Sequence, residues 1–175
     1  MDLHLAVASK RDSRAYDGSP VPDAVAERIL DAGRLAGSAR NRQPVRFVVV
    51  EGEAVPAVAD AVYAAGNVLS AGLVVALVVS PGGNLVDFDA GRAAQNMMLA
   101  GWAEGVTSCP NGVADAAGLE RALGIEPPER AVVMLSFGAP ANPRDPDRRT
   151  PERWSARADR MPLDSLVRRV GSDAG

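Results

Sequence analysis

Apolar residues recur at helical spacing over 22–36, where Val25, Ile29, Ala32, Leu35 and Ala36 share one face. Pro22 suits a first turn and Gly37 lies just past the end, so an amphipathic helix is predicted. The pattern then changes period. Arg46-Phe47-Val48-Val49-Val50 is β-branched and aromatic, and Leu73 to Val79 is apolar throughout, bounded by Pro81-Gly82-Gly83. Both read as buried strands. A helix is expected between them over Val55–Ala65. Residues 87–104 form the longest helical pattern, and Ala93, Ala94, Met97, Met98, Ala100, Gly101 and Trp102 leave it little polar face. A short helix over Ala116–Leu123 ends at Gly124, and Ala131 to Phe137 reads as a third strand. A helix is also expected at the N-terminus, ahead of Tyr16. Alternating strands and helices without an internal repeat imply an α/β or α+β fold. Beyond Gly138, Pro140, Pro143, Pro146, Pro151 and Pro162 forbid a long helix, so residues 139–175 are expected to form an arm attached to a single domain spanning 1–175.

Composition narrows the classes. The 175 residues carry 19 basic and 22 acidic side chains, a net charge of −3, which gives no bulk attraction to nucleic acid or anionic lipid. Lys10 is the sole lysine, and Cys109 and His4 are the sole residues of their kinds. An internal disulfide or a Cys/His metal site is therefore excluded, and a reducing compartment is expected. The longest apolar run, Val68 to Val79, is too short for a bilayer span, and the N-terminus lacks signal-peptide features. A soluble cytoplasmic protein without a membrane partner is expected.

Dinucleotide-binding glycine fingerprints, phosphate-loop motifs, zinc-protease motifs and nucleophile elbows are all absent from the sequence. Chemistry-bearing residues instead gather in three clusters. Lys10-Arg11-Asp12-Ser13-Arg14-Ala15-Tyr16 is either a solvated connector or an anion clamp, with Asp12 turned to orient Arg14. Ser38-Ala39-Arg40-Asn41-Arg42-Gln43-Pro44 is either a helix-stop loop or a set of amides suited to a heterocycle edge. Asp87 to Leu99 reads as structural, with acidic residues at a helix start and small residues permitting close packing. Residues 144–169 hold eight arginines and five acids, but the interspersed acids and the lack of aromatics other than Trp154 argue against nucleic-acid binding.

In order along the chain stand Arg14-Ala15-Tyr16 with Pro20-Val21-Pro22, and Ala32-Gly33-Arg34-Leu35-Ala36-Gly37-Ser38 with Asn41, Gln43, Pro44 and Phe47. Asp89-Ala90-Gly91-Arg92-Ala93-Ala94-Gln95-Asn96-Met97-Met98-Leu99 follows, then Gly105-Val106 with Ser108-Cys109, Leu123-Gly124-Ile125, Phe137-Gly138-Ala139-Pro140 and Arg160-Met161-Pro162-Leu163. Taken together, this series resembles the FMN-dependent nitroreductase family over roughly residues 5–167.

The resemblance implies an α+β fold with a central sheet flanked by helices, a C-terminal arm, and a homodimer with flavin at the interface. It implies that Lys10, Arg11, Asp12 and Arg14 hold the phosphate, ribityl chain and pyrimidine edge of FMN. Ser38, Asn41 and Gln43 would reach the flavin from the partner subunit. Backbone N–H groups of a turn at Pro110, Asn111 and Gly112 would approach flavin N5, and Arg160 would bind the phosphate. The implied activity is ping-pong transfer of hydride from NADH or NADPH through FMN to a nitroaromatic, quinone or related small electron-poor acceptor. The flavin carries that chemistry, so no catalytic side chain and no metal is expected. A non-catalytic flavin-binding protein of the same fold is the alternative.

Three features depart from the family pattern. Lys10-x-Asp12-x-Arg14 replaces Arg-x-Ser-x-Arg, Val45 replaces an aromatic, and no Lys or Arg occurs between Arg46 and Arg92. A lower reduction potential or a weaker FMN site is the expected consequence.

Overall fold

The computed structural model describes residues 1–81, 83–142 and 144–171. Gly82 of the predicted turn, together with Pro143 and residues 172–175 of the arm, lies outside the described residues. Two compact units are present: Lys10–Arg144, and Met1–Ser9 together with the chain from Asp145 onward.

The larger unit is built on a four-stranded antiparallel sheet in the order β1-β2-β4-β3. Its strands are β1 (Val45–Val50), β2 (Leu73–Val79), β3 (Thr107–Asn111) and β4 (Arg130–Gly138). The uninterrupted apolar run of β2 follows from its central position, because every one of its residues is buried. Leu73, Val75, Leu77 and Val79 face the helices α2 (Asp23–Arg34) and α5 (Val86–Ala103), packing with Ile29, Met97 and Phe137. Val74, Ala76 and Val78 face the opposite core, formed with Val58, Val68, Leu119 and Met134 from α3 (Ala54–Asp60), α4 (Ala65–Leu69), α6 (Ala116–Leu123) and β4. Burying one such large aliphatic or aromatic side chain stabilises the fold by roughly 1.5–3 kcal/mol.

Glycine permits the tightest approach. A Cβ on Gly33 would stand 2.8 Å from both Met97 and Phe47, so its absence lets α2 lie against α5 and β1. A bidentate pair joins the same helices at the surface, with Arg28 Nε and Nη2 each 2.8 Å from a Glu104 oxygen. Local signals explain the ends of α6. Asp115 accepts from Gly118 N at 2.9 Å, and Gly124 takes the left-handed conformation at φ 66°.

The structure differs from the sequence expectation in three places. The helix expected over 55–65 is divided, because Val62 bridges Val113, Tyr63 N donates to Gly112 O at 3.1 Å, and Ala61 O accepts from Ala114 N at 2.8 Å. Those tertiary bonds replace a further helical turn. The long helix α5 is less enclosed than its composition implies: Phe88, Gly91, Arg92, Gln95 and Asn96 form an exposed stripe. Strand β3 is an addition; its residues Thr-Ser-Cys-Pro-Asn carry no alternating apolar signal. Pro110 is tolerated there because β3 lies at the sheet edge.

The smaller unit holds α1 (Leu3–Ser9), a 3₁₀ turn at Pro146–Arg148, α7 (Pro151–Ala156) and α8 (Leu163–Leu166). Thr150 and Pro151 set the start of α7, with Arg153 N donating to Thr150 Oγ1 at 3.5 Å. No helix among the described residues is long and apolar enough to cross a membrane.

Candidate functional site

The first cluster docks on the edge of the sheet. Asp12 bridges Ser108 of β3 in parallel, and Ser13 N donates to Ser108 O at 3.0 Å. The segment therefore continues the sheet by a short strand-like step, which presents its side chains in a defined order. Lys10 Nζ is paired with the Asp12 carboxylate and lies 3.4 Å from Met98 Sδ of α5. The Lys10 side chain is only 9% exposed, so the pairing with Asp12 offsets the cost of its burial. Arg11 turns back, donating from Nη1 to Lys10 O at 2.7 Å.

Arg14 stays exposed and faces a cavity of about 500 Å³ lined by Asp12, Ser13, Arg14, Ala15, Asn142 and Arg144. Two guanidinium groups and an amide with a single lining carboxylate make an environment suited to an anion. The sequence reading missed Asn142 and Arg144. Their nearness to Arg14 comes from pairing beyond β4, where Tyr16 bridges Pro140, Asp17 N donates to Ala139 O at 3.1 Å and Ala141 N donates to Ala15 O at 3.2 Å. Ser108, which pairs with the clamp segment, contributes an orphan: its hydroxyl is buried and has no hydrogen-bond partner among the described residues.

The second cluster lines a separate cavity of about 450 Å³, with Gly37, Ser38, Gln43, Pro44, Val45 and Phe47 on its wall. The two cavities share no lining residue, so within one chain the structure brings Asp12 and Arg14 together, and Ser38 and Gln43 together, but not one group with the other. Asn41 lines neither cavity, though it sits in the same loop as Ser38 and Gln43. Arg40, Asn41 and Gln43 all have positive φ, between 50° and 54°, a costly conformation for residues other than glycine. The loop is held from several sides. Ser38 Oγ accepts from Gln43 N at 2.8 Å, Asn41 N donates to Ser38 O at 2.9 Å, and the buried Asp89 accepts from Ala39 N at 3.2 Å. Arg92 Nη1 donates to Gly37 O at 2.6 Å. The acidic start of α5, read as structural, thus fixes the second cluster.

Pro110 and Asn111 end β3 and Gly112 directly follows the strand, so the expected turn does not begin at Pro110. Pro110 and Gly112 are exposed, but the Asn111 side chain points into a polar network in the sheet. Asn111 Nδ2 donates to Ser136 Oγ at 3.0 Å and to Cys109 O at 3.1 Å, and Oδ1 accepts from Asn67 Nδ2 at 2.8 Å. Tyr16 closes the network, its hydroxyl 3.0 Å from Ser136 O and 2.9 Å from Ser136 Oγ. Arg160 belongs to the smaller unit, is exposed, and donates from Nη1 to Ala158 O at 3.1 Å.

Burial pushes the Cys109 thiol above its ordinary pKa, opposed by the nearby Arg14 guanidinium, and the group keeps its thiol form at neutral pH. Burial likewise raises the Tyr16 phenol to about 12, against the smaller opposing effect of its Ser136 hydrogen bond. The unfolded chain releases this proton near pH 10. The phenol's contribution is therefore complete below pH 10 and is lost as pH rises towards 12. Tyr16→Phe should flatten this alkaline fall in stability, on the order of 2 kcal/mol, in urea titrations between pH 9 and 12. An unchanged alkaline slope would exclude Tyr16 as its source.

A family model described as "Nitroreductase family" matches residues 7–80 and 80–139. No match is found among curated proteins. Among solved structures, the fold is similar to an FMN complex of a Desulfovibrio desulfuricans protein assigned as a nitroreductase. That likeness has 25% identity and a TM-score of 0.83, over 98% of this chain and 99% of that one. A nitroreductase family protein of Clostridium difficile 630 superposes with a TM-score of 0.80 at 20% identity, covering 96% and 98% of the two chains. An FMN-dependent nitroreductase of Clostridium difficile R20291 gives 0.74 at 19% identity, over 80% and 88%.

Proposed function

Since the chain belongs to the nitroreductase family, we propose that it is an FMN-dependent oxidoreductase reducing a nitroaromatic, quinone or similar electron-poor acceptor with NADH or NADPH as donor. The observation that carries this reading is the cavity beside β3, where Arg14, Arg144 and Asn142 converge on space sized for a phosphate and part of the chain attached to it. The unpartnered Ser108 hydroxyl adds a donor beside the same segment. These residues fit FMN, and the FMN bound by the Desulfovibrio protein supports the same cofactor here.

When bound, FMN would supply hydride acceptance and donation at N5. Arg14 and Arg144 would neutralise the phosphate. Arg11 and the Lys10–Asp12 pair would position the ribityl chain and pyrimidine edge. Because Asp12 already neutralises Lys10, this clamp brings less net positive charge to the ring than two free cations would. Ser38, Asn41 and Gln43 would act on the flavin of a second copy, which accounts for their separation from Arg14. The exposed stripe of α5 and the 65% exposed Leu35 at the end of α2 favour such a homodimer. Backbone N–H groups at Asn111 and Gly112 would approach N5; Pro110 has none to offer.

The freshly purified protein should be yellow, release FMN on heating, and be bleached anaerobically by NADH or NADPH. Multiple turnover with a quinone or nitroaromatic should follow. A colourless protein that takes up no added FMN would overturn the proposal, whereas bound flavin without turnover would leave a flavin-sequestering protein instead.

Gln43→Gly separates site from fold. Glycine adopts φ 50° without strain, so the melting temperature should hold or rise slightly while the FMN dissociation constant increases several-fold. Unaltered flavin affinity would remove Gln43 from the site.

A further inference from the structure

The smaller unit holds a second cationic cavity, of about 510 Å³, lined by Arg148, Arg149, Arg153, Ala156 and Arg157. Four of its five lining residues are arginines and none is acidic. This concentration is local, because residues 144–169 carry eight arginines and five acids in a chain whose net charge is −3. Two nearby acids are engaged elsewhere: Asp145 accepts from Asp147 N at 2.9 Å, and Thr150 holds the Glu152 carboxyl below its ordinary pKa. None of the five side-chain ion pairs found among the described residues includes any of the four arginines.

We infer that this pocket binds the phosphate monoester of a small molecule. Four guanidinium groups around one space repel each other and would be relieved by a dianion, which each can meet with paired N–H donors. Arg149 shows the repulsion: after its desolvation, the neighbouring Arg157, Arg148 and Arg153 lower its pKa. It is also the most fixed of the set, half-buried and 4.8 Å from the Trp154 ring. A cavity of 510 Å³ holds a phosphate with an attached sugar or nucleoside. Nucleic acid is the less suitable occupant. Trp154, the one nearby aromatic able to stack on a base, is covered by Arg149 and donates from Nε1 to Pro146 O at 2.7 Å.

Trp154 reports the test, which needs no bound flavin. Titration of the full-length protein with 2′,5′-ADP, 5′-AMP and inorganic phosphate should change tryptophan fluorescence saturably, and adenosine should not. Arg148→Gln/Arg157→Gln, whose side chains hold no element in place, should weaken binding at least tenfold with an unaltered melting curve and unaltered FMN affinity. Arg153→Gln should weaken it independently. Tightest binding of 2′,5′-ADP would identify a 2′-phosphate, as carried by NADPH; of 5′-AMP, a 5′-nucleotide; equal binding of all three, free phosphate. Equal affinity in wild type and both variants, or response to adenosine, would overturn the inference. So would binding confined to oligonucleotides with a steep salt slope, which would mark a nucleic-acid surface.

Discussion

Arg14→Ala should weaken FMN binding by roughly 1.5–3 kcal/mol, the range for a charge-assisted hydrogen bond, which corresponds to a tenfold to hundredfold rise in dissociation constant. The side chain is exposed at the cavity that it shares with Asn142 and Arg144, so its removal opens no hole in the core. Fluorescence titration with FMN measures the loss, and a thermal melt should coincide with that of the parent. Arg144→Ala, at the same cavity, should give a loss of the same sign, and the double substitution should cost less than the sum if both groups meet one phosphate. Unchanged FMN affinity in the Arg14 variant would show that the cavity beside β3 is not the cofactor's anion site. The Arg14 guanidinium also opposes the rise in the Cys109 thiol's pKa, so its loss should leave that thiol with a still higher pKa. Slower alkylation of Cys109 would report this without any flavin.

Much of the fold could be read from periodicity because its signals are local. The full burial of Leu73 to Val79 follows from a continuous apolar run, and α6 begins at its Asp115 cap and ends at Gly124. What escaped the sequence depends on partners distant in the chain. Strand β3 contains Pro110 and little β-branched character, and it exists because Thr107 to Asn111 pair with Gly138 to Met134. The break between α3 and α4 is likewise imposed by Gly112, Val113 and Ala114. The clamp segment announced itself by three cations within five residues, but Arg144, over a hundred residues away, carries no motif. Only the pairing of Ala15 and Tyr16 with the chain after β4 brings it to Arg14. Asn111 presents the opposite difficulty. Its position in an ordered motif points to the exposed end of the strand, while its amide is 3% exposed among polar groups of the sheet.

That placement gives Asn111→Leu the largest expected effect on stability. Leucine matches the volume but removes donors to Ser136 Oγ, Cys109 O and Met134 O, and the acceptor for Asn67 Nδ2. Each buried polar group left unpaired costs about 1–3 kcal/mol; the Asn67 amide would keep only Cys109 Sγ at 3.7 Å, while Cys109 O would still accept from Ser136 Oγ at 3.3 Å, so a loss of about 3–5 kcal/mol is expected. For a chain of this size it should lower the melting temperature by about 6–20 °C. Asn67→Leu/Asn111→Leu should be less damaging than the two single changes combined, because replacing both partners removes the orphaned amide together with its acceptor. Ser136 keeps the Tyr16 hydroxyl at 2.9 Å in all three variants and limits the damage to the network's inner end. Additive losses across this cycle would show that Asn67 and Asn111 stabilise the sheet separately. A coupling of 1 kcal/mol or more would show instead that one buried amide pair secures the strand end that carries Pro110 and Gly112.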